Sequence, residues 1–268
     1  MGDNVMGLEG KAGLVIGGGS GIGRASALLL AKAGANVVVG DFDASRAETV
    51  AKEVEALGVK AVAVGGTDVT VEADADKLVR DAAAALGGDL DVLINIVGMA
   101  GWSLLLDMDM ELWDLDMRRN LTHHLHVGRA YARLKIDTKS PGAMAFVASV
   151  SGLYGAPNHG AYGAAKAGVM SLTRTMAQEW ASLGIRVNAV APDAIATPRV
   201  AASIAARGAE ATSVGTRPMG RMGTVDEIAG PLVFLCSPLA GFMTGQTLVV
   251  DGGEISAFPQ VAPTMLTK

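Results

Sequence analysis

Tyr162 and Lys166 stand four positions apart in the segment Tyr162-Gly163-Ala164-Ala165-Lys166. In a helix this spacing places both side chains on one face. A phenol with a reference pKa of about 10 is a poor base at neutral pH, but an ammonium about 4 Å away favours the phenolate by about 4 kcal/mol at an effective dielectric of about 20. We therefore expect Lys166 to lower the pKa of Tyr162, so that the phenol exchanges a proton with a substrate oxygen near pH 7.

Ser149 precedes Tyr162 by thirteen residues and ends the apolar run Ala143–Ala148. If this run is a strand of a parallel sheet, the serine lies at the carboxyl edge, where open α/β proteins bind ligands. Its hydroxyl can polarise a carbonyl oxygen there. A tyrosine and a lysine at this spacing are also common on exposed helix surfaces, so the pair acquires meaning only from its surroundings.

A glycine-rich turn lies near the start of the chain, in the segment Ile16-Gly17-Gly18-Gly19-Ser20-Gly21-Ile22-Gly23. Glycine lets the backbone turn sharply and approach a pyrophosphate, whose charge is stabilised by the N–H groups at the start of a helix. The spacing is Gly-x-x-x-Gly-x-Gly, because Ile22 interrupts the Gly-x-Gly-x-x-Gly pattern. The turn indicates dinucleotide binding, although glycine-rich turns also form for steric reasons alone.

Asp41 ends the second apolar run, about twenty residues beyond the glycines. A carboxylate there can accept hydrogen bonds from the adenosine ribose, and it would repel a 2′-phosphate. Neither Ser20 nor Phe42 supplies the cation that NADP binding needs, so the sequence predicts NAD. Asp41 could instead cap the next helix, but Asp43 or Ser45 can fill that role.

Strand-like apolar runs alternate with helical patterns along the whole chain. The runs cover residues 12–18, 36–40, 60–64, 91–95, 143–149, 185–191 and 247–251, and the helical patterns cover 20–34, 44–58, 71–86, 110–135, 160–183 and 225–235. Apolar runs without polar alternation are typical of parallel strands covered by helices on both faces. We predict an α/β, Rossmann-like, doubly wound, seven-stranded parallel sheet in a single domain over residues 1–268. Residues 193–222, with a short helix at 200–206, are predicted to cover the substrate.

Composition excludes several other functions. The net charge is −5 and the pI about 5.4, so no basic surface is expected for nucleic acid or anionic lipid. No apolar run approaches the roughly 18 residues of a membrane span. With one cysteine, the chain suits a reducing cytoplasm, and a small molecule is the expected partner.

His123 and His124 are adjacent and diverge by about 100° on a helix, so we expect no metal site from them and His126.

The combination of motifs resembles the short-chain dehydrogenase/reductase family over nearly the whole chain. It comprises the glycine turn, Ser149, the Tyr162-x-x-x-Lys166 pair and the ending Thr244-Gly245-Gln246…Asp251-Gly252-Gly253. The resemblance implies a catalytic tetrad that adds Asn120 to Ser149, Tyr162 and Lys166, and it implies a homotetramer. It also implies cofactor contacts by Gly17, Gly19, Ser20, Gly21, Ile22, Gly23, Asp41, Phe42, Asp68, Val69, Asn95, Val97, Gly98, Tyr162, Lys166, Pro192, Ile195 and Thr197.

The chain departs from the family pattern at several of these places. The usual Asn-Asn-Ala-Gly turn reads Asn95-Ile96-Val97-Gly98, which puts its stabilising hydrogen bonds in doubt. Ile16 stands where the family usually has Thr. Asp193 replaces the glycine that commonly follows Pro192, and it either alters the loop backbone or adds negative charge near the substrate.

The resemblance implies an NAD-dependent oxidoreductase that moves a hydride between the nicotinamide and a secondary alcohol or ketone. An apolar pocket is indicated by Met99, Trp102, Leu104, Leu105, Leu106, Met219 and Met222, although core packing or a subunit interface would use them equally well. We therefore expect a hydrophobic, cyclic or steroid-like substrate. The alternatives are reduction of 3-oxoacyl thioesters, against which Asp41 and the acidic charge argue, and a non-catalytic dinucleotide-binding regulator, which would normally lack Tyr162 or Lys166.

Overall fold

The computed structural model describes residues 5–207 and 217–256. Residues 208–216, inside the predicted substrate-covering segment, lie outside the described residues. Seven parallel strands form one sheet in the order β3-β2-β1-β4-β5-β6-β7. They are β1 Ala12–Ile16, β2 Asn36–Asp41, β3 Ala61–Gly65, β4 Val92–Asn95, β5 Gly142–Val147, β6 Ile185–Pro192 and β7 Thr247–Val250. The predicted Rossmann-like fold is confirmed.

Eight helices accompany the sheet in the described part of the chain. They are α1 Gly21–Lys32, α2 Ala44–Glu55, α3 Glu72–Ala85, α4 Met110–Met117, α5 His123–Thr138, α6 Gly160–Trp180, α7 Pro198–Arg207 and α8 Val225–Cys236. α3, α5 and α6 bury their apolar sides in one core with side chains such as Leu93 and Phe146. α1, α2 and α8 form the second core with Ile94 and Val147. Because both faces are covered, the strands carry apolar side chains in both directions.

The helix predicted over 110–135 is divided into three parts. α4 ends at Met117, a π-helical turn spans Arg118–Thr122, and α5 begins at His123. A π-helical turn takes more residues than an α-helical turn, and such turns often occur at functional sites. The segment reads Arg-Arg-Asn-Leu-Thr, and sequence periodicity does not distinguish it from a continuing α-helix. The turn places Asn120 in the interior, where the residue is 0 % exposed.

All seven strands point the same way, so their carboxyl ends lie along one edge of the sheet. Ile16 pairs with Gly40 and with Asn95, and Asn95 pairs with Phe146. The glycine turn, Asp41, the 95–98 turn and Ser149 therefore follow strand ends at this same edge. Among the described helices, none is long and apolar enough to cross a membrane.

Candidate active site and dinucleotide-binding cleft

Ser149 lies directly after β5 and starts a 3-10 turn over Val150–Gly152. Its Oγ accepts a hydrogen bond from the backbone N–H of Ser151 at 3.2 Å, and the residue is only 8 % exposed. The turn packs directly on α6, because a Cβ at Gly152 would lie 2.6 Å from the backbone nitrogen of Ala167. This close approach holds Ser149 beside the first turn of α6, which carries Tyr162.

Lys166 lies one helical turn beyond Tyr162, as the spacing predicts. Its Nζ donates a hydrogen bond to the carbonyl oxygen of Val147 at 2.7 Å and lies 5.7 Å from the centre of the Tyr162 ring. The residue is 2 % exposed. Burial disfavours the ammonium and lowers the pKa of Lys166 to about 7.

Asn120 is held by a reciprocal pair of hydrogen bonds with the backbone of Met99. Its Oδ1 accepts from the Met99 N–H at 2.9 Å, and its Nδ2 donates to the Met99 carbonyl at 2.9 Å. Nδ2 also donates to the Asp116 carbonyl at 3.0 Å. A Cβ on the neighbouring Gly98 would lie 2.9 Å from Asn120 Oδ1 and 3.1 Å from Lys166 Nζ. Asn120 and Lys166 therefore converge on Gly98.

The turn after β4 has an unexpected partner in His123. Asn95 Oδ1 accepts from the Val97 N–H at 3.3 Å, and Asn95 Nδ2 lies 3.2 Å from His123 Nδ1. An amide nitrogen only donates, so His123 Nδ1 is the acceptor and its proton resides on Nε2. His123 thus supports this turn, in which Ile96 replaces the family's second asparagine.

Sequence reasoning placed no function on the histidines and did not foresee their burial. His123 and His124 are both 0 % exposed, with ring centres 4.1 Å apart. Within the described structure, His123 Nε2 and both ring nitrogens of His124 have no hydrogen-bond partner. Burial lowers the pKa of His123 to about 3 and that of His124 well below its usual value. The described residues contain no group of three or more His, Cys, Asp or Glu side chains placed to hold a metal ion.

The glycine turn forms a close-fitting cradle between β1 and α1. A Cβ at Gly23 would lie 1.9 Å from the Gly17 carbonyl oxygen, and one at Gly19 would lie 2.7 Å from Asp41 Oδ2. Ser20 is the N-cap of α1, yet no described N–H is capped by its hydroxyl. The first-turn N–H groups of α1 can therefore face an anion. The predicted contact residues Gly21 and Ile22 open this helix, so the donor set fits a dinucleotide diphosphate.

Asp41 sits at the rim of this cradle. Its Oδ2 accepts from the Gly19 N–H and its Oδ1 from the Asp43 N–H, each at 2.9 Å. Asp43 is the N-cap of α2, where its side chain accepts from the Arg46 N–H, so Asp41 does not serve as the cap. Arg46 Nη2 lies 3.7 Å from Asp41 Oδ1. Arg46 was not among the predicted residues, because only the positions adjacent to the glycine turn and to Asp41 were considered as sources of a cation.

The remaining predicted cofactor residues line the same edge of the sheet. Phe42 is 71 % exposed next to Asp41, and Asp68 Oδ1 accepts from the N–H of Thr70, which fixes the turn that carries Val69. Val97 approaches the cradle from β4, since its Cγ2 lies 3.3 Å from the place of a Cβ on Gly17.

Pro192 ends β6 and Ile195 is 6 % exposed. The Thr197 hydroxyl accepts from the Val200 N–H at 3.2 Å, which fixes it at the start of α7. Thr197 Cγ2 lies 3.6 Å from the place of a Cβ on Gly21. The start of α7 therefore closes over the glycine turn.

The chain was compared with known proteins. A family model described as Enoyl-(Acyl carrier protein) reductase matches residues 17–254. The chain belongs to the short-chain dehydrogenase/reductase family. It is therefore an oxidoreductase of alcohols or ketones that uses a nicotinamide dinucleotide.

Two curated relatives match almost end to end. The chain is 38% identical to a 3-oxoacyl-(acyl-carrier-protein) reductase, FabG, of Thermotoga maritima over 250 residues, which cover 93% of this chain and 100% of that protein. It is 41% identical to the cis-4-hydroxycyclohexanecarboxylate dehydrogenase of Sinomonas cyclohexanicum over 244 residues, covering 91% and 96%. A solved 7α-hydroxysteroid dehydrogenase, complexed with NADH and 7-oxo glycochenodeoxycholic acid, superposes with a TM-score of 0.87 at 32% identity, covering 94% and 97%.

One expectation from the spacing is wrong for this short-chain dehydrogenase/reductase. Burial raises the pKa of the Tyr162 phenol above its usual value of 10, and the Ser149 side chain counteracts this only in part. Lys166 does not lower it as expected, because burial disfavours its own ammonium form and because the Val147 carbonyl holds Nζ.

The substrate side of the site is apolar and open. Trp102 packs on His159 with ring centres 4.2 Å apart, and His159 lies 5.3 Å from the Tyr162 ring. Exposed apolar side chains occur in the chain segments next to Trp102 and Ser149 and in the segment predicted to cover the substrate, namely Met99, Trp102, Leu104, Leu105, Leu106, Leu153 and Met219. The "apolar mouth" below means these residues.

The segment predicted to cover the substrate is fastened where it begins and where it ends. Ile195 and Gly223 form a β-bridge, with the Gly223 N–H donating to the Ala194 carbonyl at 3.1 Å. Asp193 forms an ion pair with Arg217, and both line a cavity of about 270 Å³. From the sequence, Asp193 either alters the loop backbone or adds negative charge near the substrate. In the structure the carboxylate connects the start of the segment to residue 217.

Proposed function

We propose that this protein is an NAD-dependent dehydrogenase of hydrophobic, cyclic secondary alcohols, with Asn120, Ser149, Tyr162 and Lys166 as its catalytic residues. The observation that carries the proposal is their convergence. Ser149 is fixed by the turn after β5, which packs on α6, while Asn120 and Lys166 meet at Gly98. The apolar mouth opens onto Tyr162 through His159.

Each side chain has a distinct task in this proposal. Ser149 orients the substrate oxygen, and Tyr162 takes the hydroxyl proton as the carbinol carbon is oxidised. A bound nicotinamide dinucleotide would supply the hydride acceptor and a positive charge that would favour the phenolate form of Tyr162. Lys166, with a pKa of about 7, exchanges protons in the physiological range. Asn120 fixes the turn that carries Gly98, against which Lys166 packs.

Asp41 supports NAD as the cofactor, since its half-buried carboxylate would repel a 2′-phosphate. Arg46 lies close enough to partly offset that charge, so Asp41 is the group to test. In Asp41→Ser, we expect the ratio of kcat/KM for NAD over NADP to fall by 10²-fold or more, in line with about 3 kcal/mol for a charged hydrogen-bonding group. A wild-type preference for NADP would contradict the assignment.

The substrate class rests on the apolar mouth together with two relatives named for cyclic alcohols, the cyclohexane derivative dehydrogenase and the steroid dehydrogenase. Reduction of 3-oxoacyl thioesters is the second candidate, favoured by the 38% identity to the Thermotoga maritima reductase. Steady-state kcat/KM should be measured for cyclohexanols and hydroxysteroids with NAD, and for acetoacetyl thioesters with NADH and NADPH. A higher value for the thioesters would favour the second candidate.

The oligomeric state is a further part of the proposal. Family resemblance implies a homotetramer, and four chains of 27.2 kDa would be seen by light scattering coupled to size-exclusion chromatography. A monomeric mass would contradict this.

A further inference from the structure

Arg199 reaches from the substrate-covering segment to the catalytic edge of the sheet. It lies in the first turn of α7, and its Nη1 donates a hydrogen bond to the Gly98 carbonyl oxygen at 2.9 Å. The two residues are 101 positions apart in the chain. The guanidinium thus joins α7 to the turn that follows β4.

The position of Gly98 places this guanidinium beside the catalytic groups. A Cβ on Gly98 would lie within 3.1 Å of both Asn120 Oδ1 and Lys166 Nζ. The charge of Arg199 also lowers the pKa of Tyr162, against the larger opposing effect of burial. The neighbouring residue Met99 belongs to the apolar mouth. The Arg199 guanidinium is therefore a cation next to the otherwise apolar mouth.

Arg199 differs from the other arginines described in the same part of the chain. Arg217 pairs with Asp193, and Arg221 pairs with Glu227 through two nitrogens at 2.8 and 2.6 Å. Among the described residues, no carboxylate lies at ion-pair distance from Arg199. The hydrogen-bond partner of its guanidinium is the neutral Gly98 carbonyl. A guanidinium presents several N–H donors in a planar fork that matches a carboxylate. Most of that capacity is not used by one carbonyl bond.

We propose that Arg199 binds a carboxylate of the substrate, so that the preferred substrates are cyclic hydroxy acids. This inference rests on the proposed dehydrogenase function. The Arg199 guanidinium lies at Gly98, whereas in the proposed function the carbinol oxygen of the substrate lies between Ser149 and Tyr162. The carboxylate is therefore separated from the reacting carbon by the ring of the substrate, which packs on the apolar mouth.

The cofactor diphosphate is the other anion that could occupy this place, because Pro198, next to Arg199, lies 4.0 Å from the position of a Cβ on Gly21. Gly98 is itself a predicted cofactor contact, but the carbonyl that Arg199 binds adjoins Met99 of the apolar mouth, and on that ground we favour the substrate. The experiment must separate the two anions.

The test uses cis-4-hydroxycyclohexanecarboxylate and its carboxamide, which match in size and differ in charge. For the wild-type enzyme with saturating NAD, we expect kcat/KM to favour the acid by about 10- to 100-fold, as expected for a hydrogen-bonded charged group. In Arg199→Met this ratio should fall close to 1 through loss of activity on the acid. Arg199→Lys, which keeps the charge and loses the fork, should give an intermediate ratio.

Arg221→Met is the matched control, because it removes the same charge from the same segment and should preserve the ratio. The Kd for NAD, measured by fluorescence without substrate, should be similar in all variants. An Arg199→Met enzyme that keeps the ratio, or that loses both activities in parallel with weaker NAD binding, overturns the proposal. If the wild type oxidises neutral cyclohexanols but does not prefer the acid, this inference fails alone. If it oxidises no secondary alcohol, the proposed function fails too.

Discussion

The two halves of the cleft are built in different ways. On the nucleotide side, the cradle between β1 and α1 is so tight that a Cβ on Gly23 would overlap a backbone carbonyl at 1.9 Å. On the substrate side, Leu106 is 99 % exposed and Leu105 69 % exposed, and the covering segment is fastened by a bridge and an ion pair. The shape of the nucleotide side is set mainly by backbone contacts, whereas the shape of the substrate side is set mainly by side chains.

This difference explains which properties one chain can share with many relatives. A nucleotide is bound mainly through backbone N–H groups, so the local sequence must permit close approach and little else. A substrate is bound by side chains that can be exchanged without disturbing the sheet. Accordingly, relatives with 38% and 41% identity carry names for different substrates.

The largest expected effect is on kcat and comes from Tyr162, where the nucleotide side and the substrate side of the cleft meet. In Tyr162→Phe the proton acceptor is lost, and we expect kcat to fall by about 10²- to 10⁴-fold while the Kd for NAD stays nearly unchanged. Tyr154→Phe is the control, because this exposed tyrosine lies outside the proposed tetrad. Full turnover by Tyr162→Phe, measured as NADH formation, would refute the assigned mechanism.

The buried histidines behind the 95–98 turn should make the stability of the fold sensitive to pH. The pKa of His123 is about 3 in the folded protein against about 6.5 when unfolded. The unfolded state therefore binds more protons below pH 6.5, and stability falls as the pH falls. From pH 6.5 to 4.5 we expect a loss of about 2 to 3 kcal/mol from His123 in urea-unfolding experiments, and a loss of the same sign from His124.

His124→Leu is the comparison for this effect, since it removes a buried titrating group of similar size. Its free energy of unfolding should depend less steeply on pH over the same interval, which lies above the range in which most carboxylates titrate. An unchanged slope would show that His124 is not buried in its neutral form.

The nucleotide side should tolerate almost no added volume. A Cβ in Gly19→Ala would lie 2.7 Å from both Asp41 Oδ2 and Arg46 Cβ, which displaces the carboxylate that we propose binds the ribose. We expect the Kd for NAD to rise by about 10- to 100-fold, matching an overpacking cost of 1 to 3 kcal/mol. Gly230→Ala, where a Cβ would meet nothing within 4 Å, should bind NAD normally. Equal affinities would mean that the cradle adapts.

The substrate side should respond more weakly and in a different parameter. In Asp193→Asn the ion pair with Arg217 loses its charge, so the base of the covering segment is less firmly held. We expect the KM for the alcohol to rise by up to about 10-fold, with the Kd for NAD unchanged. Asp226→Asn removes an acidic charge from the first turn of α8 and should change neither value. A rise in the Kd for NAD would show that the two halves are not independent.

Much of the fold was predictable from the chain. The seven strands and α6 appear where apolar runs and helical periods place them, because each element carries its own pattern. Ser149, Tyr162 and Lys166 come together because a strand end and the start of the following helix share one edge of the sheet. These are consequences of local sequence and of parallel topology.

The rest depends on contacts between distant positions. Arg46 reaches Asp41 only because α2 turns back along β2, and Asp193 meets Arg217 although the two lie 24 positions apart. The raised pKa of Tyr162 follows from burial, which spacing does not report. The burial of His123 and His124 depends on packing against the sheet, where the His124 ring meets Phe146 of β5 with ring centres 5.0 Å apart.

The reciprocal bonds between Asn120 and Met99 make one side chain act as a piece of β-sheet. Its amide offers one donor and one acceptor to a backbone unit, just as a neighbouring strand would. Aspartate has nearly the same outline but would present an oxygen to the Met99 carbonyl, so two acceptors would face each other. The position therefore discriminates by the direction of its hydrogen bonds and not by shape, and a residue of identical size can be the more disruptive replacement.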